Sequence, residues 1–469
     1  MSSISAKRVM ISAAGSGCGK TTITCALLEA LKRRGLDPVS FKCGPDYIDP
    51  MFHKKVLGID AGNLDTYFAG EDGVRRIMSS CEGGFAVVEG VMGLFDGMSA
   101  DSHRGSAYEI ADITQTPIVL TVDGSGVGRT VISLIKGILL DDEKKLIKGI
   151  ILNKMSSGFF GGLQPVLEKE LSKIRPDVKV LGAFPKNSDL TLGSRHLGLT
   201  LPAEIESIKN KIDKAADLLE ESIDMKGLLE IMEAAPQVDI QGAATEDEKD
   251  LSSMGEGLTL AASLDDAFCF YYKDNIEMFE KRGVKIKYFS PLNDSTLPEN
   301  IDGILLGGGY PELHLKELQD NKSMRDSIRD AIIKGIPSLA ECGGFMYLHK
   351  SVTDPDGNRF EMVGVVDGEC SYTGHLVRFG YMEISAASDE ALLKDEFYGS
   401  VVGMRGHEFH YYDSSFNGDA FTAKKPLKNI TWNCLHAGEN HLWGFPHFYY
   451  GSSHSFVDCF VGRMRKKKV

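Results

Sequence analysis

The sequence predicts an α/β protein of two domains, the first built on a largely parallel sheet covered by helices. Short apolar runs alternate with helix-length segments through the first half. A polar stretch near residue 250 interrupts the pattern, and a second alternating series follows it. At 469 residues the chain is also too long for one ordinary core.

The first predicted strand is Val9–Ile11, followed by a glycine-rich turn and a helix over Thr22–Arg33. Phe85–Val88, Ile118–Val122 and Lys148–Leu152 read as further buried strands, each bounded by Gly, Pro, Asp or Asn. From about Glu204 to Gly257 the composition shifts towards Lys, Glu, Asp and Ala. Ile205–Ala234 is expected to be helical, and the polar run after it to be a linker. Leu258–Ala261, Ile286–Phe289, Gly303–Leu306 and Pro337–Ala340 read as strands of the second unit. The expected division is therefore a first domain over 1–204, a helical segment and linker over 205–256, and a second domain over 257–469.

Composition narrows the function classes. Hydrophobic residues at 42% and charged residues at 25% are ordinary for a globular protein. A formal net charge of −14 argues against sequence-independent nucleic-acid binding, and the basic run Arg463–Lys468 reads as a solvated tail. The first residues carry no apolar stretch suited to a signal peptide or membrane helix. The nine cysteines include no C-x-x-C pair, which fits reduced thiols. The expected compartment is the cytoplasm, with neither nucleic acid nor membrane as partner.

Ala13–Thr22 reads A-A-G-S-G-C-G-K-T-T between a strand and a helix, a loop that aims backbone N–H groups at phosphate oxygens. Ser16, Gly17, Cys18, Gly19, Lys20, Thr21 and Thr22 are the expected ATP-binding residues. Lys20 would reach the β- and γ-phosphates, and Thr21 would ligate Mg²⁺. The usual pattern has glycine five residues before Gly19, where this chain has Ala14. Two acidic segments, Phe41–Pro50 and Val87–Gly97, follow later strands, where carboxylates face the ligand crevice of such sheets. Asp46 and Glu89 are the expected further metal ligands, directly or through water. Asp96 is a candidate for the substrate or phosphoryl-transfer step, and Tyr47 and Asp49 are candidate substrate contacts. Turn capping is the plainer role for each carboxylate.

In the second half, Ile336–Leu348 reads I-P-S-L-A-E-C-G-G-F-M-Y-L, a buried strand running into Cys342, two glycines and a helix. This is a nucleophile elbow built on a thiol, with the helix N-terminus expected to lower the thiol pKa. Gly343 N–H is placed for an oxyanion hole, and Gly309, in Leu305–Glu312, is the expected second donor. The base is either His447, in Leu442–Ser453, or a histidine of R-G-H-E-F-H-Y, Arg405–Tyr411; spacing does not choose between them.

Together with F-K-C-G-P-D-Y-I-D-P, V-V-E-G-V-M-G-L-F-D-G, S-R-H-L-G-L (Ser194–Leu199), F-S-P-L and G-G-G-Y-P-E-L, these motifs give the chain a resemblance, over nearly its whole length, to the cobyrinate a,c-diamide synthases. The resemblance implies a P-loop, dethiobiotin-synthetase-like ATP domain followed by a class I glutamine amidotransferase domain. It implies that two acetate side chains of a corrin precursor are amidated with ATP and L-glutamine, Cys342 being the nucleophile and His447 its base. The family usually carries His-x-His there, and this chain has Tyr449 at the second position, which leaves open what orients His447. An acyl phosphate would be displaced by ammonia released from glutamine at Cys342. Nickel-sirohydrochlorin and hydrogenobyrinate are rival tetrapyrrole substrates. A nucleotide-switch ATPase with a vestigial amidotransferase domain is a rival of another class. A homodimer counts among the expected assemblies.

Overall fold

Val9, Met10 and Ile11 are fully buried, Val9 and Ile11 in the core on one face of a sheet and Met10 in the core on the other. Burial on both faces is what an unbroken apolar run implies for a parallel strand. The computed structural model describes residues 3–81, 84–190, 202–240, 251–389 and 392–468, and the chain divides into two units, Met1–Thr245 and Glu246–Val469.

In chain order the first unit begins with β1 (Ser3–Ile4), β2 (Lys7–Ala13), α1 (Lys20–Arg33), β3 (Pro38–Cys43), α2 (Ile48–Phe52), β4 (Ala61–Leu64) and α3 (Thr66–Ser79). It continues through β5 (Phe85–Glu89), α4 (Ala107–Thr114), β6 (Ile118–Asp123), α5 (Thr130–Asp141), β7 (Ile147–Asn153), α6 (Ser157–Leu171) and β8 (Lys179–Phe184). It closes with α7 (Pro202–Ser222), α8 (Met225–Glu233) and β9 (Val238–Asp239). Seven parallel strands form one sheet in the order β4-β3-β5-β2-β6-β7-β8. Helices α1, α7 and α8 bury their apolar stripes on one face, and α3 to α6 on the other. Strand β2 lies at the centre between β5 and β6, so the loop after it emerges in the crevice where such sheets bind ligands.

Residues 205–256 divide differently from the expected helix and linker. The helical stretch breaks at Asp224, whose carboxylate accepts the Gly227 N–H at 2.9 Å and caps α8. Ile212, Leu219, Leu228 and Met232 pack into the first unit's core, and Arg33 of α1 pairs with Asp213 and Asp217 of α7. Strand β9 pairs antiparallel with β1, and the buried guanidinium of Arg8 donates to Pro236 O. The chain thus belongs to the first unit as far as Ile240, because an amphipathic helix belongs where its apolar stripe is covered. Residues 241–250, and the Ser194–Leu199 motif, lie outside the described residues.

The second unit begins with β10 (Thr259–Ser263), α9 (Lys273–Glu280), β11 (Lys285–Phe289), β12 (Gly303–Leu306), α10 (Leu315–Asp320), α11 (Lys322–Ile333), β13 (Ser338–Glu341) and α12 (Gly343–Leu348). There follow β14 (His349–Thr353), β15 (Arg359–Glu361), β16 (Val366–Tyr372), β17 (Arg378–Ala387), α13 (Glu396–Gly399), β18 (Arg405–His410) and β19 (Tyr412–Ser414). The last elements are β20 (Phe421–Lys424), β21 (Thr431–Cys434), β22 (His436–Ala437), β23 (His441–Gly444), β24 (His447–Phe448) and α14 (Phe456–Lys468). The main sheet runs β11-β10-β12-β13-β23-β22, parallel except for its last pair. Two smaller sheets, β15-β14-β16-β19 and β21-β20-β17-β18-β24, complete the unit.

The basic C-terminal run is the end of α14 rather than a solvated tail. Arg463 is buried and pairs with Asp395 at 2.5 Å, Arg465 donates to Met254 O, and Lys468 pairs with Asp302 at 3.1 Å. Cations in a last turn also complement the negative end of the helix dipole. Among the described residues no helix is long and apolar enough to cross a membrane, and none of the nine cysteines forms a disulfide.

Candidate active site

In the first unit the loop Ala14–Gly19 joins β2 to α1. Gly17 and Gly19 hold φ of 75° and 89°, and a Cβ on Gly19 would lie 2.0 Å from Asn153 Nδ2, so both backbone conformation and close approach call for glycine there. Asn153, ending β7, donates to Cys18 O at 2.8 Å. Lys154 donates to Gly17 O at 2.9 Å and pairs with Asp123 at 2.6 Å. These contacts tie back the negative ends of peptide units in a loop whose N–H groups suit phosphate.

Lys20, the first residue of α1, is 8% exposed and donates from Nζ to Gly15 O at 3.0 Å and to Met92 O at 2.5 Å. Burial lowers its pKa, the Lys42 ammonium adds to that, and Cys18, Glu89 and Asp96 oppose it. Thr21 Oγ1 donates to Glu89 Oε1 at 2.5 Å, and Lys42 Nζ donates to the same oxygen at 2.7 Å. Lys42 also pairs with Asp49 at 2.5 Å. Glu89 is fully buried at the end of β5, and its other oxygen, Oε2, accepts no hydrogen bond. A buried carboxylate oxygen without a donor is costly unless a cation meets it. Thr21 and Glu89 therefore fit Mg²⁺, which takes one or two protein oxygens and completes its shell with phosphate and water. Among the described residues no cluster of three or more His, Cys, Asp or Glu could hold a metal by itself.

The acidic residues near this loop are used differently from expectation. Asp46, expected as a metal ligand, accepts the Ile48 and Asp49 N–H groups at 2.8 and 3.1 Å and so caps the first turn of α2. The carboxylate tied to Glu89 is instead Asp49, through Lys42. Asp49 and Tyr47, expected as substrate contacts, are 2% and 7% exposed, because the start of α2 turns them inward. Asp96 is exposed beside Lys20, its Oδ2 accepting Gly93 N–H at 2.8 Å. Lys42, Asp123, Asn153 and Lys154 were missed. Asp123, Asn153 and Lys154 close or immediately follow an apolar strand run, as Glu89 does, whereas Lys42 lies one residue before the end of β3.

In the second unit β13 ends at Glu341, Cys342 takes φ 47° and ψ −103°, and α12 begins at Gly343. Cys342 N–H donates to Gly444 O at 2.8 Å, and a Cβ on Gly344 would stand 2.3 Å from Leu306 O. The elbow is thus pressed between β23 and β12. A Cβ on Gly343 would stand 3.1 Å from Gly309 N, which brings the two expected oxyanion donors side by side.

The structure gathers both histidine motifs at this place. His447 of β24 pairs in register with His407 of β18, and their rings stack at 5.0 Å and 15°. His447 lies against Gly308, where a Cβ would stand 2.2 Å from its Cε1, and its Nδ1 is 4.0 Å from Glu341 Oε2. His447 therefore sits between the glycine turn after β12 and the residue preceding the thiol. His407 is turned to Tyr272 OH at 3.2 Å, and His410 is paired with Glu408 at 2.9 Å. Tyr449 donates to Asp274 at 2.9 Å.

Burial pushes the Cys342 thiol up, and the Glu312 and Glu408 carboxylates add to it against the Gly343 N–H. The expected lowering by the helix N-terminus is outweighed, since α12 has only six residues and the thiol is buried. Burial, with His407 and His410, holds His447 well below the usual histidine range. The thiol and the imidazole are thus both neutral at rest, and a neutral imidazole can accept a thiol proton.

Residues 9–199 match the family model of the CobQ/CobB/MinD/ParA nucleotide binding domain, and 259–437 that of the CobB/CobQ-like glutamine amidotransferase domain. The cobyrinate a,c-diamide synthase of Clostridium tetani is 37% identical over 94% of this chain and 96% of its own. That of Caldanaerobacter subterraneus subsp. tengcongensis is 36% identical over 93% and 94%. That of Clostridium acetobutylicum is 36% identical over 97% and 100%.

Proposed function

The chain belongs to the cobyrinate a,c-diamide synthase family, and from that premise we propose how its two sites divide the work. The enzyme is a carbon–nitrogen ligase that amidates the a and c acetate carboxylates of cobyrinate in cobalamin biosynthesis, with ATP as energy source and glutamine as amido donor.

A carboxylate resists amidation because its leaving group would be oxide. Phosphorylation makes an acyl phosphate from which ammonia displaces phosphate. In the first unit, Ser16 to Thr22 cradle the nucleotide and Lys20 meets the transferring phosphoryl group. Asp96, exposed beside Lys20, serves the substrate or phosphoryl-transfer step. Bound Mg²⁺, held by Thr21 and Glu89, would neutralise charge on the phosphate oxygens. In the second unit, Cys342 attacks the glutamine amide while His447 takes the thiol proton and returns it to departing ammonia. Gly343 and Gly309 N–H groups stabilise the oxyanion, and water cleaves the thioester.

The observation that carries this reading is the elbow at Cys342, with Gly343 set against Gly309 and the neutral His447 seated against Gly308. Cys342→Ala is expected to abolish glutamine-driven amidation while ammonia still supports it, read by the mass change of carboxylate to carboxamide. ATP turnover indifferent to glutamine and to this substitution would overturn the reading in favour of a nucleotide switch. Cobyrinate, hydrogenobyrinate and nickel-sirohydrochlorin offered in parallel test the macrocycle, with preference for cobyrinate expected. We further place the enzyme in the cytoplasm as a homodimer, which light scattering checks.

A further inference from the structure

We propose that Glu341, the residue immediately before the nucleophile, is the positioning residue that orients His447, in place of an acid two residues after it.

The position two after His447 is Tyr449, whose hydroxyl is committed to Asp274 at 2.9 Å. Glu341 approaches the imidazole from the end of β13. Its Oε1 accepts the Tyr450 hydroxyl at 2.8 Å, the Phe448 N–H donates to the same carboxyl, and Oε2 points at His447 Nδ1 from 4.0 Å. The segment 447–450 therefore wraps one carboxyl with two fixed donors, and the imidazole is the third group facing it. A carboxyl held this way selects the tautomer with the proton on Nδ1 and leaves Nε2 as the base. When His447 takes the thiol proton and becomes imidazolium, the gap closes to a charge-assisted hydrogen bond. The carboxyl itself takes no proton from the imidazole in this scheme.

Glu341 is buried together with Cys342 and Tyr450, and burial raises its pKa to about 8. For its role the carboxyl enters the step already ionised, its proton lost to solvent before glutamine is attacked, and the Tyr450 hydroxyl and Phe448 N–H favour that charged form against burial.

This inference rests on the roles proposed for Cys342 and His447, and the experiment separates the two. Glu341→Gln, Glu341→Asp and Cys342→Ala are compared in the full chain, with glutamine-driven and ammonia-driven product measured on the same preparation. Glu341→Gln keeps the size but turns an amide N–H towards Nδ1 and selects the wrong tautomer. The ratio of glutamine-driven to ammonia-driven kcat is expected to fall about 100-fold. KM for glutamine should stay within about threefold, since no contact to substrate is lost. Glu341→Asp should recover part of the loss. If Glu341→Gln leaves the ratio unchanged while Cys342→Ala abolishes glutamine use, the positioning role is wrong and the thiol reading stands. If KM and kcat collapse together and Glu341→Asp is no better than Glu341→Gln, Glu341 is structural only. Glutamine-driven product from Cys342→Ala would remove the premise of both.

Discussion

Replacing Gly308 with alanine would place a Cβ 2.2 Å from His447 Cε1. Carbon atoms settle at about 3.5 Å, so the imidazole must retreat by about 1.3 Å unless Gly308 moves instead. Gly308 is not free to move, because its carbonyl accepts the Cys269 and Phe270 N–H groups at 2.9 and 3.0 Å. His447 is itself restrained by the stack on His407 at 5.0 Å, so the clash displaces it from its seat. A misplacement of about 1 Å in a catalytic group costs about 100-fold in rate. Gly308→Ala should therefore lower glutamine-driven turnover about 100-fold, with ammonia-driven turnover untouched because it bypasses the thiol. The assay is the two turnover rates on one preparation, with the thermal midpoint as a check on folding. Glutamine-driven turnover within about threefold of wild type would refute the placement of His447 against this turn.

The first unit should respond in the complementary way. Gly19→Ala, whose Cβ would lie 2.0 Å from Asn153 Nδ2 at a φ of 89°, should abolish ATP binding and both routes of amidation; retained nucleotide affinity by calorimetry would contradict it. Arg175→Met leaves Asp142, bound to Arg175 at 2.8 Å and buried with it, without its cation. Chemical denaturation should show a loss of about 3–5 kcal/mol with kinetics unchanged, whereas a loss below about 1 kcal/mol would make the pair no better than a surface one. His53, buried between Ser40 and Cys25, is pushed down to about 3 by burial and by Lys42 against Asp46. Between that value and about 6.5 the unfolded chain binds a proton the folded chain does not, so stability is present above about pH 6.5 and is lost on acidification, by up to about 1.4 kcal/mol per pH unit. His53→Gln should remove that much slope from the stability profile; parallel profiles would show that His53 is not the group responsible.

The parts of the fold legible in the sequence are those where one strand carries its own evidence. Phe85–Val88 is an apolar run closed by Glu89, and it becomes β5 with Glu89 at its end beside Thr21. Gly303–Leu306 coincides with β12, because the glycines after it stop the strand. The Cys342 turn was legible because the thiol, its two glycines and the preceding strand are contiguous. Pairings across the chain were not legible. Nothing local says that His407 would stack on His447, or that Lys42 would join Asp49 to Glu89. Nor did spacing separate the roles of Asp46 and Asp49, since Asp46 accepts the Ile48 and Asp49 N–H groups locally while Asp49 is engaged by Lys42 from β3. The helical stretch before residue 240 was recognised, but its owner is set by which core receives Leu219 and Leu228.

Cys342 bears a side chain at φ 47° and ψ −103°, a backbone setting that glycine accepts and other residues avoid. Holding it there costs on the order of 1–3 kcal/mol, which the neighbouring strands supply through Gly444 O and the tight seat of Gly344. A side chain is thus conformationally unfavourable at this position, and glycine at residue 342 would give an inert chain more stable than the active one. Selection for stability alone would favour glycine here, so attempts to harden the enzyme must leave this one unfavourable residue in place.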